Sequence, residues 1–182
     1  MPKFLKGLLI GAAVLAVLGY FGFGYMKSQT KKASPEEVVT FQVDGASITV
    51  DYSRPSKKER VIFGELVPYG KVWRTGANEA TTISIDKAIT VGGAALAAGT
   101  YTLWTIPQID TWTVIFNTKM YPWGVNYDGE PQRDPTADMV KVEVPVENLP
   151  GPVEQFTIAV EGDPAALILK WDQVQVSVPI GQ

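Results

Sequence analysis

The sequence predicts an all-β protein, an antiparallel β-sandwich of jelly-roll-like type, preceded by one N-terminal transmembrane helix. Three observations carry that expectation. From residue 38 onward short apolar-polar alternations recur between Gly, Pro and Asp punctuation, and no part of this body keeps a 3.6-residue period. Ahead of the body, residues 4–26 are apolar except for Lys6, a run of 23 residues that spans about 35 Å as a helix, enough for a bilayer. The chain divides accordingly into an anchor (1–27), a polar tether (28–37) and a sandwich (38–182).

The anchor starts with Lys3 and Lys6 and gathers Tyr20, Phe21, Phe23 and Tyr25 at its far end, where aromatic rings favour a membrane interface. A cleaved signal peptide with a small-x-small site at Gly22 and Gly24 is the competing reading, but the apolar run is long for one. Gly7 and Gly11 form a GxxxG pair, with Gly22 near the same stripe, so this face is expected to pack against a partner helix. Lysines flank both ends, so charge does not orient the helix.

Residues 28–37, SQTKKASPEE, have no apolar periodicity and read as a tether. Val39, Phe41 and Val43 then alternate with polar residues up to Asp44-Gly45, and Ile48, Val50 and Tyr52 resume the pattern, which predicts a hairpin. Further strands are predicted at 81–85, 89–91, 100–106, 111–117, 139–144, 156–160, 166–171 and 174–178, with the PGP at 150–152 as a break. The irregular stretch 121–137 is long for a hairpin loop and is expected at the surface.

The densest stretch is 61–82, VIFGELVPYGKVWRTGANEATT, where Gly64, Pro68, Gly70 and Gly76 stand among Tyr69, Trp73, Arg74, Asn78 and Glu79, as in a shaped loop between strands. Its VPYGKVWRTGANEAT, with SRP upstream and AGTYTLWTIP, WTVIFN and WGVNYD downstream in the same order, resembles a bacterial extracytoplasmic domain-of-unknown-function family over residues 38–180. The resemblance implies a β fold and a body on the periplasmic side of the cytoplasmic membrane, and no particular reaction.

Composition narrows the chemistry. There are no cysteines and no histidines, which removes thiolate catalysis, disulfides, a His-based triad and the usual ligand of transition metals and haem. The first 27 residues hold three of the 16 basic side chains and none of the 19 acidic ones, leaving an acidic body that is no partner for nucleic acid. No catalytic, cofactor-binding or metal residue is therefore assigned; Asp128, Glu130, Asp134 and Asp138 lack any EF-hand spacing. The candidate constellation is Arg74, Asn78 and Glu79, with Arg54 and Asn117 as neighbours implied by the family's block order. A structural ion pair is the first reading, ligand binding the second and a Glu79-dependent hydrolase the third, since a carboxylate beside an arginine is a weak base. Trp104, Trp112 and Trp171 lie in strand patterns and are expected in the core, whereas Trp123, with Asn126 and Tyr127, is expected to form an exposed docking surface.

These readings lead to a non-enzymatic, single-pass accessory subunit without cofactors, bound to other subunits of a membrane complex through its helix and sandwich loops. A bioenergetic assembly, such as a photosynthetic reaction centre or a respiratory complex, is the context expected for it. A membrane-tethered sugar- or peptide-binding module is the alternative.

Overall fold

The computed structural model describes residues 2–181, and Met1 and Gln182, the outer ends of the predicted anchor and sandwich, lie outside them, as do the side chains of Lys3, Phe23 and Lys27. The chain forms two compact units, Met1–Ala33 and Ser34–Gln182.

The first unit is one helix, α1 (Lys3–Ala33), of 31 residues. Its described apolar side chains are exposed all round and it is long and apolar enough to cross a membrane, as an anchor or a signal sequence is. The tether predicted over 28–37 is instead mostly helix and strand. Residues 27–33 contain no Gly or Pro, so the i→i−4 ladder continues through them, and Lys31 and Lys32 suit the negative end of the helix dipole. Pro35 stops it, because the residue before a proline is pushed out of the α region. Only Ser34 and Pro35 remain between α1 and the first strand.

Among the described residues, the regular structure of the second unit is β apart from one short 3₁₀ turn at Pro135–Ala137. Strand β1 (Glu36–Val43) pairs with β2 (Ala46–Ser53) across the predicted Asp44-Gly45 turn, whose residues take φ of 50° and 79°. Next come β3 (Thr82–Ile85), β4 (Ile89–Val91), β5 (Ala94–Leu96), β6 (Gly99–Pro107) and β7 (Thr111–Asn117). Two long strands, β8 (Asp138–Glu161) and β9 (Ala166–Gly181), complete a nine-stranded antiparallel sheet in the order β1-β2-β3-β6-β7-β8-β9-β4-β5.

The sequence pattern divides β8 at the PGP and β9 after Trp171, yet each runs on. In β8 the pairing with β9 shifts between Asn148 and Val153 and again between Val153 and Thr157, so Pro150 and Pro152, which have no N–H to give, fall where the ladder is interrupted. The first part of β8 pairs with β7 and the rest with β9, which carries one strand from one layer into the other.

That crossing curls the sheet until β2 meets the far part of β8. The Tyr52 hydroxyl accepts from the Ile158 N–H at 3.1 Å and donates to Glu37 Oε2 at 2.7 Å. Arg54 follows with Nε to the Phe156 carbonyl at 3.1 Å, Nη2 to Thr157 Oγ1 at 2.8 Å and Nη1 to Glu37 Oε1 at 3.1 Å. Inside lies the main core, centred on Phe63, Trp73, Trp112, Phe156 and Trp171, whose ring centroids are 4.9 to 6.5 Å apart.

A second, smaller core of Ala80, Trp104, Ile115 and Tyr121 lies on the other face of β6 and β7. Leu103 and Trp104 are both fully buried, as are Val114, Ile115 and Phe116, so these two strands are covered on both faces, which is why they read as unbroken apolar runs. Trp104 is thus buried beneath the irregular insert and not between the sandwich layers.

Burial, then the bond to Glu37, pushes the Tyr52 phenol up to about 12. A phenol whose pKa is raised on folding stabilises the fold below its unfolded value near 10 and loses that contribution as pH climbs toward 12. Tyr52→Phe removes the acceptor of a buried N–H and should cost about 1 to 3 kcal/mol, read as a lower urea midpoint at unchanged slope, with less stability lost between pH 9 and 12 than in the wild type.

Candidate functional site

The loop after β2 closes on itself. Thr75 and Asn78 adopt left-handed backbone conformations, φ 55° and 57°, which side chains tolerate only when local bonds hold them. Here they do: Thr75 Oγ1 donates to Thr105 Oγ1 at 3.2 Å, the Thr81 hydroxyl to the Thr75 carbonyl at 2.6 Å, and the Trp73 indole to the Gly76 carbonyl at 3.1 Å. Asn78 Nδ2 donates to the Ser34 carbonyl at 3.2 Å, tying the loop to the first residue of the body.

Arg74 and Glu79 interact electrostatically. Burial pulls the guanidinium below its ordinary value, and the Glu79 charge opposes that shift. The other two residues expected beside them are elsewhere. Arg54 serves the sheet closure and pairs with Glu37 at 3.1 Å. Asn117 is fully buried under the insert, where Nδ2 donates to the Asp134 carbonyl and to Asp138 Oδ1, both at 2.8 Å, while Oδ1 accepts from Lys119 N and the Tyr121 hydroxyl. Block order along the chain did not translate into contact with Arg74, because β7 presents Asn117 to its own following segment.

The insert is a cover with a projecting tip. Asn126 shapes the tip, its Oδ1 accepting from the N–H groups of Asp128 and Glu130 at 3.0 and 2.9 Å. Tyr127 at the tip is fully exposed. Trp123, predicted as the exposed aromatic, is half-buried. The cause is its neighbour: Gly124 passes so close to the loop that a Cβ there would meet Ala80 Cβ at 3.2 Å and Arg74 Cβ at 3.3 Å, which draws this part of the insert inward.

At the base of the insert, Asp138 has a side chain only 3% exposed that accepts from Lys141 at 2.9 Å, from Asn117 and from Arg133. Burial pushes its carboxyl up, but the bonds from Lys141, Asn117 and Arg133 outweigh that and hold it below the ordinary 3.8. Nothing in the local sequence marked Asp138 apart from the other acids of the insert; its partners come from β7, the insert and β8.

Where the insert meets β1 to β3 there is a cleft of about 220 Å³, lined by Glu36, Asp51, Glu79, Thr82, Tyr121 and Pro122 together with Tyr52, Ser53 and Ala80. Three carboxylates, Glu36, Asp51 and Glu79, stand in a wall that is otherwise largely apolar and aromatic. Glu36 and Asp51 are polar positions of strand alternations, a signal shared with any solvated sheet face, and so were not legible as a site. Among the described residues no group of three His, Cys, Asp or Glu side chains is arranged to hold a metal ion.

A family model described as a protein of unknown function (DUF2911) matches residues 34–180. The chain belongs to the DUF2911 family. The match starts at Ser34, where the compact β unit begins, so the loop, the insert and the cleft all lie within DUF2911 and α1 lies outside it. No curated protein and no solved structure matches the chain.

Two outcomes test this geometry. Asp138→Asn leaves the Arg133 guanidinium in a sheltered site without its counter-charge, which should cost about 3 to 5 kcal/mol in urea unfolding at pH 7. Because folding lowers the Asp138 pKa, its contribution is constant above the unfolded value of 3.8 and fades as pH falls through the folded one, so the variant should lose less stability than the wild type below pH 4. Glu79→Gln removes the charge that offsets burial of Arg74 and should lower stability by up to about 3 kcal/mol, the low end for such pairs; unchanged melting would remove the pair from the fold's support.

Proposed function

We propose that this DUF2911 chain is a single-pass membrane subunit, its β body on the periplasmic side of the cytoplasmic membrane, that works by binding other membrane proteins and not by catalysis. The supporting observation is α1: its described apolar side chains are exposed along the whole helix, and the spacing of Gly7, Gly11 and Gly22 puts them near one stripe of it. Lipid covers such a surface, and the glycines let a second helix approach closely. The body is consistent with this role, because Thr75, Asn78, Thr81, Asn117 and Asp138 are engaged in holding the loop and the insert in shape.

A second reading is favoured by the acidic cleft. Glu36, Asp51 and Glu79 beside Tyr121 suit a small cationic or hydroxyl-rich ligand, such as a sugar or a basic peptide end, although 220 Å³ is below the roughly 300 Å³ at which small-molecule sites begin. A hydrolase built on Glu79 has less to recommend it, since Arg74 stabilises the ionised form.

Extraction in mild detergent followed by native sizing separates these readings. The wild type is expected to migrate in a complex much larger than its own 19.8 kDa, with an intact mass that retains α1. Gly7→Leu combined with Gly11→Leu should leave the chain in the membrane and shift it toward the free monomer. A mature chain starting near Tyr25, or a wild type that always migrates alone, would sink the subunit reading and leave the cleft as the function.

A further inference from the structure

We infer that one end of the β body rests on the lipid surface, through the exposed apolar tips Leu66, Tyr69 and Ile109 with Val61 beside them. Residues 61–70 form a two-faced plug. Ile62 and Val67 point into the core at 0% and 3% exposure, and Phe63 packs its ring 5.0 Å from Trp112. On the outer side Val61, Leu66 and Tyr69 are 54%, 44% and 42% exposed. The Gly70 N–H donates to the Pro107 carbonyl at 2.8 Å, which holds the plug against the β6–β7 turn, where Ile109 is 69% exposed. These tips are therefore fixed on one small region by backbone bonds, and are not apolar residues scattered over the surface.

Strand direction selects the occupant. β1 starts at Glu36 opposite the last residue of β2, Ser53. β2 pairs antiparallel with β3 and β3 with β6, so the end of β6 at Pro107 points the same way as the end of β2. The plug and Ile109 thus lie at the end of the sheet where the chain comes in from α1, and only Ser34 and Pro35 intervene. Exposed Lys58, Arg60 and Lys71 alternate with Glu59, Glu65 and Asp110 around the tips, a mixture that suits zwitterionic headgroups, while Tyr69 is of the kind that favours the interface. The inference rests on the anchor reading above and adds the surface that the body presents to the membrane.

The absence of cysteine makes the test direct. Leu66→Cys, Ile109→Cys and, at the opposite end beside the start of β6, Ala98→Cys would each be labelled with an environment-sensitive dye in the full chain. Each is reconstituted in phosphatidylcholine vesicles carrying nitroxide-headgroup lipid. Expected is a blue-shifted, strongly quenched dye at positions 66 and 109 and an unquenched, water-like one at 98. Equal quenching at all three positions, in protein that floats with the vesicles, would overturn lipid docking, leave the anchor intact and turn the tips toward a protein partner. Protein that does not float would remove the anchor reading, and the docking with it.

Discussion

The closure between β2 and the far part of β8 governs the shape of the body. Tyr52 and Arg54, separated from Ile158 and Phe156 by 106 and 102 positions, join strands that are not neighbours in the sheet. Backbone bonds from the Phe156 N–H to the Pro55 carbonyl at 3.0 Å and from the Lys57 N–H to the Glu154 carbonyl at 2.7 Å complete the junction. With it, Phe156 reaches Trp73 at 4.9 Å and the aromatic core is sealed. Tyr52 and Arg54 both also bind Glu37, so the edge strand β1 is held by the same junction. Burial of polar groups here is tolerable because each is matched: phenol to amide and carboxylate, guanidinium to carbonyl, hydroxyl and carboxylate.

A second constraint follows from β6 and β7 being apolar on both sides. Their outer face needs a cover, and the loop before β3 together with the insert after β7 supplies it, with Tyr121 against Trp104 at 5.2 Å. The cover must be fastened, and Asn117 and Asp138 do so from the adjoining ends of β7 and β8. The acidic cleft is the gap left where this cover meets β1 to β3. Its position is thus a by-product of how a double-faced pair of strands is buried, whatever it goes on to bind.

Much of this was legible because it is local. Alternation over residues 39–52 with Asp44-Gly45 at its centre specifies a hairpin, and the same period finds β3, β4, β6 and β7 within a residue or two. Ala94–Leu96 was not legible, since three residues after Gly92-Gly93 give no period to read. Proline at 150 and 152 looked like a break, whereas a sheet accommodates it by slipping register. In residues 28–33 polar composition suggested coil, but a helix already running needs no apolar pattern to continue. The site was harder still. Arg54, Asn117 and Trp123 are placed by contacts between distant segments, and Gly124, whose missing side chain lets the insert approach Arg74, leaves no mark in a hydropathy pattern.

The span across the closure also bears on how the body is made. Long loops must be ordered before such contacts repay the lost entropy, so folding dominated by distant pairings is slow. Trp73 is synthesised well before Phe156 and Trp171, the rings that pack on it. Until β8 and β9 emerge, the nascent body therefore shows an open aromatic surface and unpaired strand edges, the features that attract chaperones and other nascent chains. With no disulfide to hold a partly built sheet, the last two strands alone complete the closure, so the C-terminal third of the body carries the contacts that seal the aromatic core.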